Sequence, residues 1–185
     1  MKKSYDYFKT LKLLSDTISV IYEKTLSKQD FSSNRIQFIA EKSELLNNLQ
    51  NEFITPLERG DIFLLAESLT EELDSVFALH EYFDLINCKD FIELKSFSKS
   101  FRTQNFIFSQ LADFKNNLKL FEQCSDEIKC LNSEKKNIER LIVNALKCKS
   151  EQPLIKYSIY SVFLDLNRIV YKTILEIEKI IINNS

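Results

Sequence analysis

Glu67, Glu71 and Asp74 stand at i, i+4 and i+7 in the chain. Helical spacing, about 100° per residue, puts the three carboxylates on one face. Carboxylates so arranged can hold a divalent cation or iron when acids from a neighbouring helix complete the set. The same spacing also makes an ordinary solvated acidic face. The stripe lies more than a quarter-turn from Ile62, Leu65, Leu69, Leu73 and Val76, so it is expected to face solvent. His80 shares the apolar face by angle and reads as a partly buried, hydrogen-bonded histidine. No second His exists to build a relay or a zinc site. The cysteines Cys88, Cys124, Cys130 and Cys148 include no C-x-x-C pair and read as free thiols of a cytosolic protein. No serine lies in a Gly-rich elbow, and no glycine loop is present to cradle phosphate. An enzyme is not expected.

The elements that must position these groups are helices. The chain has 185 residues, ample for a buried core, with one Gly and two Pro. Tight hairpins want Gly or Asn at positive φ, so few can be built, and the chain reads as all-α. Its 15 Phe and absent Trp point to a core rich in phenyl rings. The net charge of -2 and the pI near 5.6 leave no basic stripe to collect phosphates, which argues against nucleic acid. Lys2-Lys3 could touch an anionic membrane but reads better as a solvated terminus. Charged residues break every apolar run, so neither a bilayer span nor a secretory leader is expected.

Six helical segments follow from the periodicity. The first, near 4–28, carries Phe8, Leu11, Leu14, Ile18, Ile21 and Tyr22 on one face. The second, near 34–54, is capped by Ser33 or Asn34, with Ile36, Ile39, Ala40, Leu46, Leu49 and Phe53 inward. The third runs to about residue 87. The fourth, near 90–122, has a heptad-like seam of Leu94, Phe97, Phe101, Phe108, Leu111 and Leu118, with Gln104 and Lys115 at its gaps. The fifth covers about 125–149 and the sixth about 153–183.

Between the second and third helices lies Phe53-Ile54-Thr55-Pro56-Leu57-Glu58-Arg59-Gly60-Asp61-Ile62. Thr55 to Glu58 reads as a capping box with Pro56 at the first helical position. Gly60 then permits a kink, or Asp61 caps a new helix. Offsetting the chain by 97 positions lays Pro56 on Pro153 and matches Leu49 with Leu146, Ile62 with Ile159, Leu69 with Leu166 and Phe77 with Ile174. Two three-helix repeats of antiparallel helices are therefore expected, at 1–88 and 89–185, packed as one unit.

The corner, followed by Leu69-Thr70-Glu71-Glu72-Leu73-Asp74, resembles the PhoU-related phosphate-transport regulators, the single-chain group associated with Pit-type phosphate permeases. The residues that carry the resemblance are Thr55, Pro56, Arg59 and Asp61, with the acids that follow. It implies six helices in two repeats and a cytoplasmic, non-enzymatic regulator of phosphate transport. Its partner would be a phosphate permease at the inner membrane face, or a second copy of the chain. In that fold, acidic helix motifs can bind metal clusters. Glu71 and Asp74 match two of the acidic positions, and Thr70 replaces the third. Glu41 beside Gln37 is the nearest match on the second helix, and Glu139 with Lys135 on the fifth. Gly60 stands where the turn usually has an acid. In the second repeat the counterparts of Thr70, Glu71 and Asp74 are Asn167, Arg168 and Tyr171, none of them a carboxylate. The resemblance thus implies at most one degenerate site for a divalent cation or iron, at Glu71, Asp74 and Glu41. Two alternatives stand beside the regulator: a helical protein with a structural or sensory cation there, and a general helical interaction scaffold.

Overall fold

The computed structural model describes residues 5–52, 54–84, 97–116, 119, 122, 125–147 and 153–184. These residues form an all-helical fold. Helix α1 spans Tyr7–Leu26, α2 Ser32–Asn51, α3 Arg59–Asp84, α4 Ser98–Gln110, α5 Ser125–Lys147 and α6 Pro153–Asn184, with a 3-10 turn at Leu111–Asn116 after α4. Cys88, Cys124 and Cys148, Phe53, and the Leu94 and Leu118 ends of the seam lie outside the described residues.

Side chains and turn geometry punctuate the helices. Asp6 caps α1 by accepting the amide of Lys9 at 3.0 Å. Two crossed bonds close its far end: Gln29 N–H donates to Lys24 O at 2.9 Å and Lys28 N–H to Thr25 O at 3.2 Å. That closure requires a left-handed residue, and Lys28 takes it at φ 53. At the start of α2 the expected caps, Ser33 and Asn34, already lie inside the helix. Asp30 does the work instead, its carboxylate accepting the amide of Ser32 at 3.0 Å and the Ser32 hydroxyl at 2.7 Å.

Two helices depart from their expected form. The fourth was expected to continue to about residue 122; its α-helical part ends at Gln110. There the Leu111 amide reaches back three residues to Phe108 O and the coil tightens. In α2 the inward face is Phe38, Leu45 and Leu49, with Leu46 half-buried. Ile36 and Ile39 are 69% and 52% exposed. The buried stripe runs 38, 42, 45, 49 and so includes Lys42, whose charge hides it from a reading of apolar spacing.

Helices α1, α3, α4 and α6 enclose the core: α1 packs on α3 and α4, and α3 packs on α6. Helix α2 lies mainly on α1, and α5 mainly on α6. One apolar cluster runs through all of them, from Leu11, Leu14 and Ile18 to Ile174 and Ile177. Phenyl rings join the halves as the composition suggested. Phe97 meets Tyr22 of α1 at 5.9 Å, Phe101 of α4 at 5.4 Å and Phe163 of α6 at 4.7 Å between ring centres. Pro153 opens α6 at its first position, whereas Pro56 stands three residues ahead of α3. The two prolines that suggested a repeat therefore do different local jobs. Among the described residues no helix is long and apolar enough to cross a membrane.

Candidate functional site: the α2–α3 corner, the α3 acids and a buried carboxylate

The corner is built differently from a capping box. The Thr55 hydroxyl donates to the Leu57 carbonyl at 2.6 Å and caps no amide. Glu58 takes the cap position, its carbonyl accepting the amides of Asp61 at 3.0 Å and Ile62 at 3.2 Å. Pro56 is exposed ahead of the helix, and Leu57 turns inward to 4% exposure. The guanidinium of Arg59 donates to the Glu52 carbonyl at the end of α2 and so ties the two helices at their junction. Asp61 is half-buried. Burial, then the carboxylates of Glu58 and Glu176, push its carboxyl above the usual range. Gly60 sits in the first turn of α3 at ordinary helical φ, with nothing within 4 Å of a Cβ placed there. Neither a kink nor a left-handed turn demands it.

On α3 the acids face outward as their spacing predicts: Glu71 and Asp74 are exposed, and Glu67 is half-exposed. Two of the three have lysine partners. Lys42 of α2 reaches Glu67 at 2.8 Å, and Lys172 of α6 lies 3.8 Å from Glu71. Both pairs are partly or fully solvated, so each contributes on the order of 1 kcal/mol or less. Glu41 is half-buried on α2. Its charge and that of Glu44 act on the Tyr5 hydroxyl, which burial first, and these acids after it, push above its ordinary range. Among the described residues no three His, Cys, Asp or Glu side chains form a group that could hold a metal ion, and Glu41, Glu71 and Asp74 make no such group. His80 is half-buried as expected, edge-on to Phe31 at 4.7 Å.

The residue that spacing did not single out is Glu72. Its side chain is 0% exposed, the only fully enclosed carboxylate among the described residues. The Gln104 amide of α4 donates to both of its oxygens at 2.9 Å, and the Thr173 hydroxyl of α6 donates to Oε1 at 2.7 Å. Among the described residues no cation compensates the charge. Burial pushes the carboxyl up to about 7, against the pull of Thr173 and Gln104 and with a small push from Glu71. Gln104 Oε1 is buried with no hydrogen-bond partner among the described residues.

The signal for this trio was in the sequence. Glu72 stands seven after Leu65, three after Leu69, four before Val76 and seven before Leu79. Gln104 has the same relation to Phe97, Phe101, Phe108 and Leu111, and Thr173 to Leu166, Val170, Ile177 and Ile180. Each is one polar residue in the centre of an apolar stripe, which marks a buried polar group that needs a partner. Gln104 was visible as a gap in its seam, but the partners it requires were not. No protein-family model matches the chain, and a comparison with curated proteins finds no match.

Proposed function

We propose that the protein is a non-enzymatic accessory or regulator that acts by docking, with phosphate transport as its setting. A phosphate permease at the cytoplasmic membrane face is the proposed partner. The observation that carries this reading is the stretch from Thr55 to Asp74, which resembles the PhoU-related regulators and leads directly onto an exposed helix face. That face is apolar where it begins and acidic beyond. Phe63 and Leu64 are 46% and 54% exposed, and Glu67, Glu71 and Asp74 continue the stripe about one, two and three turns on. Lys42 of α2, bound to Glu67, joins the edge of that helix to it. A mixed apolar and charged surface of this kind suits a contact that forms and releases.

The cation alternative has less to stand on, because Lys42 and Lys172 already accompany Glu67 and Glu71. The test is phosphate uptake in cells lacking the gene, complemented with wild type or with Glu71→Lys, Asp74→Lys. The expected result is altered uptake in the deletion, restored by wild type and not by the double variant. Uptake unchanged by the deletion overturns the reading. Elemental analysis of the purified protein tests the alternative, which requires a bound divalent cation or iron lost in the same variant.

A further inference from the structure

Between α1 and α4 lies a solvent-open cavity of about 440 Å³, apart from the corner and the acidic stripe. The two helices that wall it are held at a fixed spacing. The Asn105 amide of α4 donates to Ser19 Oγ of α1 at 2.8 Å, and Ser15 Oγ donates to Asn105 Oδ1 at 2.5 Å. On the inner side stand the buried rings of Tyr22 and Phe101, 5.1 Å apart between centres. Val20, 43% exposed, adds an apolar group at the mouth. The α1 wall includes Glu23 and the α4 wall Arg102, both exposed. Among the described residues neither has an ion-pair partner, and they do not pair with each other. Lys24 also borders the cavity, but its ammonium donates to Asn34 Oδ1 at 2.8 Å.

The volume falls in the range of small-molecule sites, about 300–1,000 Å³, and far exceeds what a single ion needs. A lone anion drawn to Arg102 meets the repulsion of Glu23, and a lone cation drawn to Glu23 meets that of Arg102. A molecule carrying both signs satisfies both walls. The guanidinium donates to a carboxylate through its two-pronged fork, and the Glu23 carboxylate accepts from an ammonium. The remaining surface, Val20 and the two rings, suits an apolar side chain. We propose that this cavity binds a small zwitterion, an α-amino acid with an apolar side chain, which bridges α1 to α4. Both charged groups are solvated, so the affinity is modest, with Kd on the order of 1 mM. The inference rests on the cavity and is independent of any role in phosphate transport.

Amide NMR shifts of the full chain, titrated with L-leucine and with L-phenylalanine, read the site directly. Saturable shifts are expected at residues 19–27 of α1 and its end and at residues 98–102 of α4. Phenylpropionate lacks the ammonium and phenethylamine lacks the carboxylate, and each is expected to bind about tenfold more weakly than phenylalanine. Arg102→Gln should weaken phenylalanine about tenfold and leave phenethylamine unchanged, while Glu23→Gln should weaken phenylalanine and not phenylpropionate. No saturable shift with either amino acid up to about 20 mM overturns the proposal. So does either single-charge analogue binding as tightly as phenylalanine, or full affinity retained in both variants. Both substitutions are at exposed positions, and the comparison of the three phenyl compounds on wild type decides without them.

Discussion

Glycine is the residue that a left-handed backbone position favours, and here the two are separated. The single Gly60 occupies ordinary helical backbone in open space, while Lys28 carries the positive φ that closes α1. A scarce breaker need not stand where the backbone requires one. Two substitutions exploit this. Gly60→Ala removes unfolded-state freedom at a position where a methyl meets nothing, and is expected to stabilise the fold by about 0.5–1 kcal/mol. Lys28→Gly relieves the left-handed strain at a helix end and is expected to add about 0.5–1 kcal/mol. Urea melts of both variants and their combination check this. The sites lie at opposite ends of α2, so the gains should add. Destabilisation by Gly60→Ala would mean that the corner uses the glycine in a way its open surroundings do not reveal.

At the scale of the elements, periodicity served well where the stripe was purely apolar and failed where a polar residue sat inside it. The faces of α1 and α3 follow from Leu11, Leu14 and Ile18 and from Ile62, Leu65 and Leu69, all enclosed as their spacing requires. The inward stripe of α2 is hidden from apolar spacing because Lys42 occupies a position in it. Glu72 is masked in the sequence by its neighbours Glu67, Glu71 and Asp74, which make a more regular pattern. Spacing locates a residue on its own helix; which helix faces it is a tertiary fact, and the partnership of Glu72 with Gln104 and Thr173 bridges 32 and 101 positions. That partnership makes stability depend on pH. The folded carboxyl is pushed up to about 7 from the ordinary glutamate value of 4.5, so the native state retains a proton that the unfolded chain gives up. The resulting stability is fully present below about pH 4.5, falls as pH rises through about 7 and is then constant. Its size is on the order of 3 kcal/mol. Thr173→Val keeps the side-chain shape and removes a hydroxyl that favours the ionised form. It is expected to move the midpoint upward and extend the decline to higher pH. Denaturant melts at intervals from pH 4.5 to 8.5 measure both curves, and an unchanged or lower midpoint in Thr173→Val would contradict the assigned role of its hydroxyl.

For the whole molecule the question is whether residues 1–88 and 89–185 behave as two units or one. Composition made the all-helical class legible, since one glycine and two prolines leave little else to build. The offset of the prolines suggested two halves, but nothing in the spacing could say how those halves meet. In the structure α1 packs on α4 and α3 on α6, so each half covers the apolar face of the other. The Phe97 ring, 0% exposed, is the clearest junction, touching Tyr22 from the first half and Phe163 from the second. Phe97→Ala removes a ring from that junction and is expected to cost about 3–5 kcal/mol, comparable with the marginal stability of a whole domain. Because the core is shared, the loss should not stay with α4 and the second half. Hydrogen exchange at Leu14 in α1 and at Ile177 in α6 should report the same lowered global stability, and melts followed at both should coincide. Protection that is lost at Ile177 but kept at Leu14 would show that the first half stands alone, and the shared core would then be a contact between two units and not the basis of a single cooperative fold.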